Sequence, residues 1–162
     1  MLKAAKVATD FIAKSTSFKK FICVCGPGNN GGDGYYIGIN LSKMGFDVKI
    51  IDAIKNKEKS LLCKDAFNIA FNGNLIHKSS ILDNNQKNVV IIDAIFGTSL
   101  KGCVSSSISM LINKMNKFDE IFSIDLPSGI DPDLGISCGT HVNAKKTISF
   151  VGRKVGLSLN EG

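Results

Sequence analysis

The sequence predicts an α/β fold: a doubly wound, mostly parallel sheet with helices on both faces, forming a three-layer sandwich. Apolar segments typical of buried strands alternate along the chain with segments whose apolar residues recur at helical spacing. Four strand segments lead into polar, glycine-containing loops, at residues 29–34, 93–102, 125–131 and 152–156. Because parallel strands end at the same edge of a sheet, we expect these loops to meet in one crevice.

The first elements follow from the spacing of apolar side chains. Residues 2–14 place Ala5, Val7, Ala8, Phe11 and Ile12 on one face and predict a helix. Residues 21–25 are apolar and β-favouring, and they predict the first strand. After a glycine-rich loop, helical spacing continues to Met44.

The later elements repeat this alternation. Their strands are nearly continuous apolar runs, as a sheet covered on both faces requires. Their helices carry apolar residues at intervals of three and four. The predicted strands are 47–53, 75–77, 89–92, 120–124 and 146–150, and the predicted helices are 56–71 and 105–116.

Length and composition indicate a single globular domain with a sizeable core. The chain has 162 residues, of which 44% are hydrophobic and 21% are charged. No apolar run approaches the roughly 20 residues that span a bilayer, so we expect no membrane association. The net charge of +6 comes mainly from lysines spread along the chain. Because no aromatic residues are interleaved with them, they indicate a solvated basic surface and not a nucleic-acid partner.

The cysteines indicate a reducing compartment. There are five, and none are in a C-x-x-C spacing. Cys23 and Cys25 lie two apart on a predicted strand and therefore look like core residues. We expect neither a disulfide nor a metal role for the cysteines, and a location in the cytoplasm or another reducing compartment, an organelle included.

A glycine-rich segment joins the first predicted strand to the helix that follows it. Five of the ten residues from Cys25 to Gly34 are glycines. So many glycines are costly in chain entropy unless the backbone needs positive φ or close approach to another group. Backbone N–H groups at the start of the helix favour an anion. The alternative is an ordinary tight turn in which Asp33 caps the helix.

Four motifs resemble the NAD(P)HX epimerases, the YjeF N-terminal domain family. They are residues 26–34, 93–98 and 125–129, and residues 147–150 with Lys154, in the family's order. The resemblance implies a Rossmann-like domain that interconverts the R and S epimers of hydrated NADH and NADPH. It further implies one potassium ion per subunit, and a separate dehydratase that acts on the S form.

The resemblance also implies the site residues. Asn30, Asp93 and Ser128 would be potassium ligands, and their oxygen atoms suit a hard cation. Asp125 would reach the altered nicotinamide ring and is the first candidate for the catalytic acid and base; Lys154 is the second. The residues that would line the dinucleotide, besides Asp125, are Asn29, Asn30, Gly31, Gly32, Asp33, Gly97, Thr98, Ser99, Leu100, Lys101, Gly102 and Cys103.

The chain departs from the family pattern in places. Ala144-Lys145 stands where the family has an Ala-Asp pair. Residues 1–162 are expected to be a single domain of this type, truncated at both ends, which would leave apolar surface for a homodimer or another partner. Two other functions remain open: a non-catalytic scaffold of the same fold, and a dinucleotide binder without turnover. Retention of Asp125, Lys154 and the three potassium-type ligands favours the enzyme.

Overall fold

Alternating strands and helices make up the computed structural model, which describes residues 2–83, 87–137 and 139–150. The helices are α1 (Leu2–Ser15), α2 (Asn29–Lys43), α3 (Leu61–Asn72) and α4 (Ser106–Met115). The strands are β1 (Lys20–Cys25), β2 (Asp47–Asp52), β3 (Ile76–His77), β4 (Val89–Ala94), β5 (Glu120–Ile124) and β6 (Lys146–Ile148). They form one sheet in the order β3-β2-β1-β4-β5-β6, and all neighbouring pairs are parallel.

The sheet is covered on both faces, which confirms the predicted fold class. Successive residues of β1 point to opposite sides: Phe21 and Cys23 belong to one buried cluster, Ile22 and Val24 to the other. The first cluster includes buried residues of α1, α2 and α3, and the second includes those of α4. The alternation follows from the two-residue period of a strand.

The order of the strands creates a crevice beside β1. The chain proceeds from β1 to β2 and β3 on one side, and then returns to place β4 on the other side. In register, Cys25 at the end of β1 lies between Asp52 of β2 and Ala94 of β4. Loops that leave β1 and β4 therefore diverge, and ligands bind at such switch points in open α/β sheets.

The glycine-rich segment differs from the prediction, because α2 already begins at Asn29. None of its described glycines has a positive φ. They are needed for close packing instead: a β-carbon on Gly31 would overlap the carbonyl oxygen of Gly26, and one on Gly34 would overlap the side chain of Ala94. Asp33 lies inside the helix, so the alternative in which it caps the helix is wrong.

Several other helix and strand boundaries differ from the predicted ones. Helix α3 begins at Leu61 and not at residue 56, because the preceding residues form a connection that packs against the end of β1. Strand β4 continues through Asp93, and β6 ends at Ile148. A 3-10 turn at Ser79–Leu82 was not predicted. The apolar face predicted for α1 is wrong at Val7 and Phe11, which are exposed, because the part of this helix that packs inward is narrower than the predicted face.

The cysteine prediction is partly wrong. Cys23, Cys25 and Cys63 are buried free thiols, and burial raises the pKa of Cys23 to about 12. Cys103, in the loop after β4, is disulfide-bonded. Sequence spacing gave no sign of this bond. Within the described ranges, no helix is long and apolar enough to cross a membrane.

Candidate functional site

A cavity of about 910 Å³ lies at the carboxyl edge of the sheet, beside the ends of β1 and β4. It is bordered by the start of α2, the loop after β4, the connection after β2 and the turn after β5. The residues that line it are Ala4, Pro27, Gly28, Asn29, Asn30, Asp33, Lys57, Glu58, Ser60, Ile95, Phe96, Gly97, Thr98, Ser99, Leu100, Lys101, Asp125 and Phe150.

Most of the residues predicted to line the dinucleotide border this cavity. Gly31 and Gly32 are instead buried in α2. Gly102 and Cys103 follow the lining part of the β4 loop and do not line the cavity. Lys154 and the other residues of the 152–156 loop lie outside the described residues.

Asp93 is the buried centre of a network behind the cavity. Its Oδ1 accepts hydrogen bonds from Ser128 Oγ at 2.6 Å and from the Ile95 N–H at 3.3 Å. Its Oδ2 accepts from Ser123 Oγ at 2.7 Å and from the Ser128 N–H at 2.8 Å. Burial raises the pKa of Asp93, and these four donors act in the opposite direction by stabilising the carboxylate.

Ser128 connects this network to the cavity wall. Its hydroxyl oxygen accepts a hydrogen bond from the Phe96 N–H at 3.0 Å. The Ile130 N–H donates to the Pro127 carbonyl, and Gly129 in that turn has a φ of 102°. A glycine suits this position because an L side chain is strained there. The Pro-Ser-Gly sequence therefore forms the tight turn that brings Ser128 under Asp93.

Asn30, in the first turn of α2, is hydrogen-bonded to the same network. Its Nδ2 donates to the carbonyl oxygen of Phe96 at 2.7 Å. Its Oδ1 is buried and has no hydrogen-bond partner among the described residues. A buried amide oxygen left without a donor is costly, and a cation would satisfy it. Hydrogen bonds thus link Asn30, Phe96, Ser128 and Asp93 into one network, and we call the oxygen atoms of these four residues the oxygen cluster.

Asp125 occupies an unusual backbone position at the cavity. Its φ is 69°, and the Leu126 N–H donates across it to the Ile124 carbonyl at 2.9 Å. A three-residue turn with positive φ at its centre is the rare and strained γ-turn. The Asp125 N–H donates to the Ile148 carbonyl at 2.8 Å, which ties the turn to β6.

The atoms around Gly97 show that Asp125 lies close to Asn30 of the oxygen cluster. A β-carbon on Gly97 would lie 3.0 Å from Asp125 Oδ2 and 3.2 Å from Asn30 Cβ. Asp125 and Asn30 therefore flank the same glycine, although 95 positions separate them in the numbering of the chain. Any side chain at position 97 would fill the space between them.

Asp33 is a second carboxyl group on the cavity wall. Its Oδ1 is buried and has no hydrogen-bond partner among the described residues. Burial raises its pKa to about 6, and the negative charge of Asp125 acts in the same direction. A carboxyl group with that pKa exchanges protons near neutral pH.

The connection after β2 contributes residues that the sequence did not indicate. Ser60 donates a hydrogen bond from its Oγ to Asn29 Oδ1 at 2.8 Å. Lys57 and Glu58 also line the cavity. No motif marked these residues, since they lie beside the glycine-rich segment only after β2 has paired with β1.

Comparisons with known proteins agree on one family. The family model described as YjeF-related protein N-terminus matches residues 1–156. The NAD(P)H-hydrate epimerase of Limosilactobacillus reuteri is 34% identical over 165 residues, an alignment that covers 100% of this chain and 77% of that protein. The epimerase of Legionella pneumophila is 29% identical, and the chain covers 63% of its length.

Two further relatives extend the comparison. The bifunctional NAD(P)H-hydrate repair enzyme Nnr of Escherichia coli is 33% identical, and the chain spans only 31% of its length. The crystal structure of the yeast protein ynu0 superposes with a TM-score of 0.82 at 21% identity, covering 98% of this chain and 74% of that one. That similarity concerns the fold alone.

Proposed function

The chain belongs to the family of YjeF-related protein N-termini, and on that premise we propose that it is an NAD(P)H-hydrate epimerase, an isomerase of hydrated NADH and NADPH. The observation that carries the proposal is the meeting of Asp125, Gly97 and Asn30 at one point of the cavity. At this point the carboxylate of Asp125, a residue with a strained backbone, lies close to Asn30 of the oxygen cluster. A scaffold or a simple binder needs neither feature.

The substrate's phosphates would bind at the start of α2. Backbone N–H groups at a helix N-terminus attract anions, and Gly28 allows close approach because it has no side chain. Lys101 on the opposite wall adds a positive charge. From there the cavity extends to Asp125, where we place the hydrated ring.

Asp125 would act as the acid and base of the reaction. As an acid, it protonates the hydroxyl on the hydrated ring carbon, which leaves as water while the ring nitrogen lone pair forms an iminium. Water then adds to the other face of the ring, and the Asp125 carboxylate takes the proton that this water loses. Acid–base catalysis of this kind is typically worth about 10²–10⁴-fold.

Two other groups would assist. Asp33, with a pKa of about 6, is suited to exchange a proton with water in the cavity. Lys154 stays a candidate because of its position in the family motif. Strain at Asp125 is consistent with a functional role, because such backbone conformations are retained where surrounding contacts enforce them.

Potassium fits the oxygen cluster. The unpartnered Oδ1 of Asn30, the Phe96 carbonyl and the Ser128 hydroxyl would hold it, with Asp93 supplying negative charge directly or from behind. When bound, the ion would supply a fixed positive charge beside the substrate. In this arrangement the hydrogen bond to the Phe96 carbonyl orients the Asn30 side chain, and the two hydrogen bonds to Asp93 hold Ser128 in place.

The enzymatic test uses purified chain, R-NADPHX and an S-specific dehydratase. Dehydration of the R epimer must accelerate over the spontaneous rate, and Asp125→Asn must abolish the acceleration. Absence of acceleration by the wild type would overturn the epimerase proposal, and full activity of Asp125→Asn would remove Asp125 from its role.

A second test addresses potassium by thermal unfolding. The midpoint should rise in KCl relative to choline chloride at the same ionic strength, because an ion that binds only the folded state stabilises it. Asn30→Ala should lose this response. An equal response of the variant would exclude Asn30 as a ligand.

We also propose that the product passes to a dehydratase. The E. coli relative is named as a bifunctional repair enzyme. An epimerase is useful when the next enzyme accepts only one epimer, since it then makes both available. When the S-specific dehydratase is supplied with both epimers, the R half should be consumed as fast as the S half if the chain is present at catalytic concentration, and only at the spontaneous rate of epimerisation if it is absent.

A further inference from the structure

The connection between β2 and α3, residues 53–60, forms one wall of the cavity and is attached to the glycine-rich segment. The Ala53 N–H donates to the Cys25 carbonyl at 2.9 Å, and the Ser60 N–H donates to the Pro27 carbonyl at 2.9 Å. Both ends of the connection are therefore fixed to the chain that leaves β1.

An internal ion pair holds the same connection. Lys59 Nζ lies 2.8 Å from Asp52 Oδ2, and the two side chains are only 10% and 6% exposed. The ammonium group also lies 4.5 Å from the centroid of the Phe67 ring. Because both charges are directed into the protein, this pair fixes the connection and is not presented to a ligand.

Ser60 links this fixed connection to the start of α2, where the phosphates of the substrate are proposed to bind. Its hydroxyl donates to Asn29 Oδ1 at 2.8 Å, and its oxygen accepts from the Cys63 N–H at the start of α3. A serine hydroxyl has a single proton to donate. With the amide oxygen of Asn29 engaged, the two Nδ2 hydrogens are on the side away from Ser60.

We propose that Ser60 is a positioning residue, which holds the Asn29 side chain so that its amide donors face the phosphates of a bound dinucleotide. Asn29 is the first residue of α2 and lines the cavity, where the helix N-terminus favours an anion. If the amide were reversed, its carbonyl oxygen would face the same anion and repel it. The identity of the ligand rests on the proposed function.

A double-mutant cycle tests this assignment with NADPH as the probe, since its phosphates are those of the hydrate. The dissociation constant is measured by calorimetry for the wild type, Ser60→Ala, Asn29→Ala and the double variant. We expect each single variant to bind about five- to tenfold more weakly, and the double variant no more weakly than Asn29→Ala.

Two further substitutions separate positioning from helix capping. Glycine caps a helix nearly as well as serine and alanine does not, so Ser60→Gly and Ser60→Ala should differ in stability yet lose the same affinity. Ser60→Thr keeps the hydroxyl and should bind within about twofold of the wild type. Asn56→Ala, at an exposed position of the same connection, is the matched control and should leave affinity unchanged.

Three results would overturn the assignment. The losses of binding free energy in the two single variants could add up in the double variant, the affinities of the Ser60 variants could rank in the order of their unfolding midpoints, or the wild type could fail to bind NADPH. A failure of epimerisation alone is a different result. If the cycle behaves as expected while no epimerase activity is found, the proposed reaction is wrong and the role of Ser60 stands.

Discussion

Replacing Asp93 by asparagine tests whether the buried carboxylate organises the site. Four donors meet its two oxygens, two of them backbone N–H groups and two of them hydroxyls. An amide keeps one acceptor oxygen. If its nitrogen takes the place of Oδ2, the Ser123 hydroxyl can turn to accept, but the Ser128 N–H at 2.8 Å faces another donor.

The opposite orientation of the amide leaves the Ile95 N–H without an acceptor instead. One buried backbone donor is thus always unsatisfied, which costs about 1–3 kcal/mol, and the charge assistance of the remaining bonds is lost as well. We therefore expect Asp93→Asn to lower the free energy of unfolding by about 2–4 kcal/mol.

The measurement is urea unfolding at neutral pH, with two comparison variants. Ser123→Ala removes one hydroxyl donor and should cost about 1 kcal/mol, because the carboxylate keeps three others. Asp10→Asn, on the exposed face of α1, should change stability by less than about 0.5 kcal/mol. A loss for Asp93→Asn no greater than that for Ser123→Ala would refute the reasoning, since it would mean that the native carboxyl group is not ionised.

Three further predictions follow from the backbone and from the second carboxyl group. At Asp125, where φ is 69°, the glycine variant should be more stable to urea than the alanine variant by about 1 kcal/mol, because only alanine is strained there; alanine of equal or greater stability would contradict the strain. Gly34→Ala should lower the free energy of unfolding by about 1–3 kcal/mol, because the added methyl group overlaps the side chain of Ala94. Gly28→Ala is the control and should be tolerated, since its β-carbon meets no atom within 4 Å. Equal losses of stability in the two variants would exclude packing as the reason for a glycine at position 34. Asp33 keeps its proton up to a pH of about 6 in the folded state and releases it near its ordinary pKa of 3.8 when unfolded, so its contribution to stability falls as pH rises through that interval. Asp33→Asn should therefore match the wild type in urea midpoint below about pH 4 and exceed it above pH 6, and a gain confined to acid pH would refute the sign.

The pattern of apolar residues was sufficient to predict the fold class and most elements. Near-continuous apolar runs such as 89–92 mark strands buried on both faces. The position of Asn29 to Gly34 within α2 was missed, because glycines have poor helix propensity. In the folded protein they are helical since only glycine lets α2 approach Gly26 and Ala94.

The candidate site was likewise predicted only in part. The motifs named Asn30, Asp93, Asp125 and Ser128 but carried no information about which donor meets which acceptor. Ser60 had no motif at all. Its partner Asn29 is 31 residues away, and the contact exists only because β2 pairs with β1.

The sequence by itself determined the two-faced parallel sheet, since strand and helix periods depend on local residue order. It also determined that polar loops follow the strands. Only the tertiary structure decided that Asp125 lies across Gly97 from Asn30, that its backbone is strained, and that Ser60 holds Asn29. These contacts join residues tens of positions apart, and their geometry is set by strand register and by the packing of α2, which no local pattern encodes.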